Sequence, residues 1–254
     1  PMLLSGKTAV ITGAARGIGK AITLRYAKEG ANLLLLDMQE SLLRQTAAQA
    51  EQYGVRVSAQ AADVTDAERA RSCVDEAAAS FGSLDILVNN AGIYVKKPQH
   101  LIDPQAGPQF LNIRPEYCRQ VLEVNVMGTY HMISAVLPYM LRQKSGKIIN
   151  LGSVAGVNGI PGMAEYSASK GAIIAFTKAL AHEVASSRIC VNCISPGSIL
   201  VEGGSTPMTY LGRYGCPDDI AGTALFLAGA DSDFMIGQNL IVDGGRTLSL
   251  HCES

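Results

Sequence analysis

Several features that mark broad classes of protein are absent from this sequence. Of its 254 residues, 21 are Lys or Arg and 22 are Asp or Glu, which gives a formal net charge of -1 with no block of basic residues. This pattern does not favour nucleic acid or an anionic membrane as a partner. The apolar runs are interrupted every few residues and fall short of the ~18–20 residues that cross a bilayer. We therefore expect no nucleic-acid partner and no membrane span.

Clustered metal ligands are also missing from the sequence, and we expect no leader sequence. Only Cys190 and Cys193 have C-x-x-C spacing, and no second pair or group of His residues accompanies them. Because both fall in an apolar, strand-like stretch, we expect buried free thiols rather than a metal or redox site. The first residues do not follow the pattern of a signal peptide. These features predict a cytoplasmic protein that requires no metal.

The order of the apolar segments predicts the fold class. Segments of helical periodicity alternate with short apolar runs, which are residues 8–12, 31–36, 55–61, 85–89, 147–151, 191–194 and 239–245. This alternation predicts an α/β fold, a doubly wound parallel sheet of about seven strands with helices on both faces. The chain has no repeat, linker or low-complexity tract, so we expect a single domain over residues 1–254.

A glycine-rich stretch follows the first strand-like run and precedes a helical segment. It contains Gly13, Arg16, Gly17, Ile18 and Gly19. A strand, a glycine turn and a helix in this order form a phosphate-binding loop, because the backbone can approach a pyrophosphate and the helix N-terminus favours its charge. The alternative is an ordinary tight turn. The spacing is G-x-x-x-G-x-G rather than the commoner G-x-G-x-x-G.

Acidic residues follow the second and third strand-like runs. Asp37 lies about twenty residues after the loop, where a carboxylate can accept hydrogen bonds from the adenosine ribose and repel a 2′-phosphate, which favours NAD over NADP. Arg16 favours NADP instead, since a cation in the loop could pair with that 2′-phosphate. The alternative for Asp37 is a helix N-cap. Asp63, with Val64 beside it, is placed to meet the adenine.

Polar residues also follow the fourth and fifth runs. Asn90, Ala91 and Gly92 end the fourth run, and Ser153 comes directly after the fifth. Cofactors bind at the carboxyl ends of parallel strands, so these positions are candidates for the site. Residues 94–113 contain three prolines and have no clear period, which indicates either a surface loop that forms a wall of a substrate pocket or an inert excursion.

Tyr166 and Lys170 lie four residues apart in a segment with helical periodicity. Residues at i and i+4 share one face of a helix, so the phenol and the ammonium should be neighbours. A nearby positive charge favours phenolate, so we expect Lys170 to lower the pKa of Tyr166 and make it a general acid/base. The alternative is a surface Tyr with an unrelated Lys.

Taken together, these features resemble the short-chain dehydrogenase/reductase family over Gly6 to about Gly245. The matching motifs, in family order, are the loop from Thr12 to Gly19, Asp63, Asn89 to Gly92, Asn125, Ser153 with Tyr166 and Lys170, and Pro196 with Gly197. The resemblance implies a Rossmann-type oxidoreductase that transfers hydride between nicotinamide and an alcohol or carbonyl substrate.

The resemblance also implies roles for the individual residues. Tyr166 would exchange a proton with the substrate oxygen, and Ser153 would hydrogen-bond the same oxygen. Lys170 would hold the nicotinamide ribose, and Asn125 would anchor a water that relays protons to solvent. The backbone of Ile199 would hold the nicotinamide amide. Members commonly form homotetramers, which we also expect here.

The chain departs from the family pattern in the walls of the substrate pocket. The position at which the family usually has a cofactor-contacting Thr is Val201 here, and Thr206 is its displaced candidate. The segment after Thr206, which forms a lid over the substrate in relatives, is short here, and the 94–113 loop is long. We therefore expect this loop to cover part of the substrate in place of the lid. Three functions remain open: an NAD-dependent dehydrogenase, an NADP-dependent carbonyl reductase and a non-catalytic NAD(H) sensor or scaffold.

Overall fold

A computed structural model describes residues 2–95, 109–200 and 209–248. Seven parallel strands form one sheet in the order β3-β2-β1-β4-β5-β6-β7. The strands are β1 (Thr8–Thr12), β2 (Asn32–Asp37), β3 (Val57–Ala61), β4 (Ile86–Asn89), β5 (Gly146–Leu151), β6 (Ile189–Pro196) and β7 (Asn239–Val242). The predicted doubly wound sheet is therefore confirmed.

Helices cover both faces of this sheet. They are α1 (Gly17–Lys28), α2 (Glu40–Glu51), α3 (Ala67–Phe81), α4 (Pro115–Leu122), α5 (Gly128–Gln143), α6 (Val154–Asn158), α7 (Ala164–Val184) and α8 (Pro217–Ala228). Within the described ranges, no helix is both long and apolar enough to cross a bilayer.

Alternation along the strands divides the core into two layers. Ile11 and Leu35 pack with α1, α2 and α8, whereas Val10 and Leu34 pack with α3, α5 and α7. Successive side chains of a strand point to opposite faces, so a strand buried on both faces is apolar throughout. This is why the sequence of β2 is almost continuous leucine.

A long helical segment that begins at Pro115 is divided into three parts. A π-helical turn at Glu123–Met127 separates α4 from α5, and it carries Asn125. Such turns displace one residue from the regular helical hydrogen-bond ladder and often lie at functional sites. Before this segment, Gln109–Asn112 form a 3-10 turn, while residues 96–108 of the predicted pocket loop lie outside the described residues.

The C-x-x-C pair has the environment expected from the sequence. Cys190 and Cys193 are buried free thiols in β6. Residues three apart on a strand point to opposite faces, so the two sulfurs cannot share a ligand. Among the residues that the structure describes, no group of three His, Cys, Asp or Glu could hold a metal ion.

Candidate active site

The glycine-rich loop connects β1 to α1 at the carboxyl edge of the sheet. Gly13 and Gly17 have φ angles of 64° and 56°, a region that favours glycine. Arg16 is the exposed N-cap of α1 and its side chain makes no cap hydrogen bond. The first N–H groups of α1 therefore face the loop without a side-chain cap, and this arrangement fits a pyrophosphate.

Gly19 is required by close packing within the loop. A Cβ atom on Gly19 would lie 2.0 Å from the Gly13 carbonyl oxygen and 2.6 Å from Asn90 Nδ2. We expect Gly19→Ala to displace the loop, weaken NADH binding at least about tenfold and lower Tm. Fluorescence titration with NADH and thermal melting test both effects.

Gly222→Ala is the matched control for this variant. Gly222 lies inside α8, and nothing lies within 4 Å of the position of its Cβ. Alanine is favoured over glycine in a helix interior by about 1 kcal/mol, so the control should keep its affinity and its Tm should not fall. Unchanged NADH affinity in Gly19→Ala would contradict the role given to this glycine.

Hydrogen bonds tie the loop after β1 to the loop after β4. Thr12 Oγ1 accepts the N–H groups of Asn90 and Ala91 at 3.1 and 3.0 Å. In return, the Asn90 amide donates to the carbonyl oxygens of Thr12 and Gly13, both at 3.0 Å. Sequence reasoning did not assign Thr12 to the site, although its position directly before Gly13 was a usable signal.

Asp37 ends β2 with its carboxylate directed towards the glycine-rich loop. Its Oδ2 accepts the N–H of Ala15 at 3.1 Å, and its Oδ1 accepts the N–H of Gln39 at 2.9 Å. The N-cap of α2 is Gln39, so Asp37 is not a helix cap. The carboxylate is half-buried and fixed beside the loop, where Arg16 is exposed.

Asp63 and Val64 follow β3 on the same edge of the sheet. Asp63 Oδ1 accepts the N–H of Thr65 at 2.9 Å, and the Val64 carbonyl oxygen lies 3.0 Å from His131 Nδ1. Val64 is buried against Gly128, where a Cβ atom would lie 2.5 Å from Val64 Cγ2. These contacts fix the backbone at the position predicted to meet the adenine.

Ser153, Tyr166 and Lys170 lie together beyond β5. Lys170 Nζ donates to the Leu151 carbonyl oxygen at 2.7 Å and lies 5.8 Å from the centroid of the Tyr166 ring. Ser153 is the N-cap of α6, accepts the N–H of Ala155 at 3.1 Å and hydrogen-bonds the Tyr166 phenol. The predicted i, i+4 arrangement on α7 is present, although Lys170 is buried rather than exposed.

The predicted effect of Lys170 on Tyr166 is wrong for this arrangement. Burial raises the pKa of Tyr166, the hydrogen bond with Ser153 opposes that rise, and the Tyr94 phenol adds to it. Burial also lowers the pKa of Lys170 to about 8, against a smaller opposing effect of Cys193. The sequence indicated the spacing of the two groups but not that both side chains are buried. Desolvation is the largest influence on both pKa values.

Asn125 holds the backbone that leads into the pocket. Its Oδ1 accepts the N–H of Ile93 at 2.8 Å, and its Nδ2 donates to the Ile93 carbonyl oxygen at 2.9 Å. Nδ2 also donates to Ser169 Oγ at 3.0 Å, and Ser169 Oγ donates to the Tyr166 carbonyl oxygen at 2.7 Å. The buried Asn125 amide thus connects the loop after β4 to the turn of α7 that carries Tyr166.

Ser169 is a residue that sequence reasoning missed, and it carries a prediction of its own. Ser169→Ala removes both hydrogen bonds of this hydroxyl and leaves one Asn125 N–H buried without its partner, which costs about 1–3 kcal/mol. We expect a fall in Tm of several degrees and a smaller kcat. Thermal melting and steady-state kinetics check this, with Ser72→Ala on the exposed face of α3 as the control. An unchanged Tm would show that this hydrogen-bonded link is unimportant.

Pro196 ends β6, and Gly197 and Ile199 follow it on the same edge of the sheet. The Gly197 N–H donates to the Val242 carbonyl oxygen at 2.9 Å, and a Cβ atom on Gly197 would lie 2.6 Å from Asp243 Cα. Ile199 forms an isolated parallel bridge with Gly215, which fixes its backbone. Val201 and Thr206, the departures from the family pattern, lie outside the described residues.

Comparison with known proteins identifies the family. The sequence model described as short chain dehydrogenase matches residues 7–207. The chain belongs to the short-chain dehydrogenase family. Curated members of this family include the 3-oxoacyl-acyl-carrier-protein reductase FabG of Thermotoga maritima, which is 36% identical and aligns with 97% of this chain and 100% of its own length. The FabG of Chlamydia trachomatis is 37% identical, with 96% and 98% aligned.

Solved structures of short-chain dehydrogenases share the fold. An NAD+-bound xylitol dehydrogenase superposes with a TM-score of 0.87 at 34% identity and covers 95% of this chain and 99% of its own. A carveol dehydrogenase from Mycobacterium avium in complex with NAD superposes with a TM-score of 0.88 at 27% identity, covering 98% and 100%. The family and the Rossmann-type fold expected from the motifs are therefore confirmed, and the protein is a short-chain oxidoreductase.

Proposed function

We propose that this short-chain oxidoreductase is an NAD(H)-dependent dehydrogenase that interconverts a secondary alcohol and its ketone. The observation that carries this proposal is the gathering of Ser153, Tyr166 and Lys170 at the sheet edge that also bears the glycine-rich loop. The choice of NAD rests on Asp37, whose carboxylate is fixed beside that loop by two N–H groups. The similar structures of two NAD-bound dehydrogenases support the same choice.

Tyr166, Ser153 and Lys170 have separate roles in the proposed reaction. During reduction the Tyr166 hydroxyl donates its proton to the substrate oxygen, and during oxidation the Tyr166 oxygen takes it back. Ser153 donates a hydrogen bond to the same oxygen and stabilises its developing negative charge. Lys170 is positioned to hold the nicotinamide ribose, while the cofactor supplies the hydride chemistry when bound.

A substrate panel run with NAD and NADP in parallel tests this proposal. We expect turnover of a secondary alcohol or ketone with NAD(H), followed by the absorbance of NADH. A protein that binds NADH but turns over no substrate in the panel would favour a sensor or scaffold instead. All three groups that catalysis needs are present, which argues against a non-catalytic role.

An NADP-dependent carbonyl reductase is the second candidate. Arg16 is exposed at the N-cap of α1, where a cation could pair with a 2′-phosphate. Curated relatives at 36–37% identity are named 3-oxoacyl-acyl-carrier-protein reductases, so an acyl carrier substrate belongs in the panel. Preferential turnover of such a substrate with NADPH would replace the first candidate with the second.

We further propose a cytoplasmic homotetramer. Free thiols at all described cysteines favour a reducing compartment.

Exposed apolar side chains lie on two surfaces, one at α5 with Tyr130 and Leu141 and one near β7 with Phe234 and Ile241. Two such surfaces on one chain support two kinds of subunit contact. Size-exclusion chromatography with light scattering tests the assembly.

A further inference from the structure

Tyr94 is an aromatic side chain that stands directly beside the catalytic phenol. The rings of Tyr94 and Tyr166 form an edge-to-face pair with centroids 6.3 Å apart and planes at 74°. Tyr94 nevertheless remains 61% exposed, so this contact covers only part of its surface. An aromatic ring that touches the general acid/base and keeps most of its surface in solvent is available to a substrate bound at Tyr166.

The backbone that presents Tyr94 is fixed although its ring is exposed. Asn125 hydrogen-bonds both the N–H and the carbonyl oxygen of Ile93, the residue immediately before Tyr94. Gly92 packs so closely that a Cβ atom on it would lie 3.2 Å from Asn125 Oδ1 and 3.4 Å from Lys170 Nζ. Tyr94 is therefore attached to the same hydrogen-bonded unit that holds the catalytic residues, and a positioned aromatic side chain can discriminate between substrates.

A second apolar residue lies on the neighbouring side of Tyr166. The N–H of Ile160 donates to Ser167 Oγ at 3.1 Å, which places Ile160 beside the turn of α7 that carries Tyr166. Ile160 is half-buried. The catalytic turn is thus flanked by the loop after β4, which carries Tyr94, and by the segment between α6 and α7, which carries Ile160.

We propose that Tyr94 is a specificity-determining residue, and that it selects a secondary alcohol or ketone whose reacting carbon belongs to an apolar ring. This inference rests on the proposed function and names the substrate class of the same site. One face of a carbocycle presents several C–H groups that can cover an aromatic ring together, and their removal from water is favourable. An open-chain polyol would instead bring hydroxyl groups against the ring, where they lose hydrogen bonds to water.

The test measures kcat/KM with NAD for cyclic secondary alcohols, from cyclohexanol to a hydroxysteroid, and for open-chain polyols that include xylitol. Wild-type protein should prefer a cyclic alcohol. Tyr94→Ala should lower the ratio of cyclic to open-chain kcat/KM at least about tenfold, chiefly by raising KM for the cyclic substrate. Tyr94→Phe should keep the ratio, because the ring and not the hydroxyl makes the contact.

Tyr53→Ala is the matched control, because Tyr53 is 48% exposed and follows α2 at the opposite edge of the sheet. This variant should leave both rates unchanged. Wild-type preference for a polyol, or an equal loss for both classes in Tyr94→Ala, would overturn the inference and leave the proposed function standing. Failure of wild-type protein to oxidise any alcohol, with NADH still bound, would overturn both together.

Discussion

Tyr166→Phe is expected to lower kcat by about 10²–10⁴-fold while leaving NADH affinity within about twofold of the wild-type value. General acid/base catalysis by a positioned side chain contributes a factor of that size, and phenylalanine removes only the hydroxyl that transfers the proton. The ring remains to pack against Tyr94, so the fold and the pocket wall should persist. Steady-state kinetics and NADH fluorescence measure the two quantities on the same preparation.

The pH profile separates loss of proton transfer from a general loss of activity. Burial raises the pKa of Tyr166, with Ser153 opposing and Tyr94 adding to the rise, so the phenol is protonated at neutral pH. Oxidation requires phenolate, hence wild-type kcat/KM for oxidation should increase with pH. Reduction requires the phenol and should lose activity as the pH passes through the Tyr166 pKa. A variant that retained more than about a tenth of wild-type kcat, with this pH dependence intact, would refute the role of Tyr166.

The sheet was predictable because short apolar runs alternate with segments of helical periodicity along the whole chain. Six of the seven apolar runs end at, or directly before, a glycine or a polar residue. Boundaries were less accurate where the backbone deviates from regular geometry. The π-helical turn around Asn125 has no distinct apolar period, so the sequence pattern does not reveal it.

The site was predictable in composition but not in electrostatics. Motif spacing placed Tyr166 and Lys170 on one helical face, and the structure has them there. The depth of burial depends on how α7 packs on the sheet, which no local pattern specifies, and burial reversed the expected direction of the Tyr166 pKa. Ser169 and Thr12 were missed for a related reason. Their hydrogen bonds join segments far apart in the chain, and although Thr12 directly precedes Gly13, neither hydroxyl shows in the sequence which distant group it binds.

Asp37→Asn should change the cofactor preference more than any other single substitution of the chain's polar groups. A carboxylate near a 2′-phosphate is unfavourable by several kcal/mol, so removing its charge should raise the NADP-to-NAD ratio of kcat/KM by about 100-fold. Asparagine keeps one oxygen that can accept the N–H of Ala15 and loses only the acceptor of the exposed Gln39 N–H. Arg16 is then the one charged residue of the loop from Thr12 to Gly19 and should contribute to the gain with NADP.

Asp63→Asn is the matched control for this experiment. Asp63 is also half-buried at the carboxyl end of a strand and also accepts a backbone N–H, but it is predicted to face the adenine rather than the ribose. Its substitution should leave the NADP-to-NAD ratio within about threefold of the wild-type value, because NAD and NADP have the same adenine. If both variants changed the ratio equally, the effect would not be specific to Asp37. If wild-type protein already preferred NADP, Arg16 would outweigh Asp37. The NADP-dependent reductase would then be the better description of this protein.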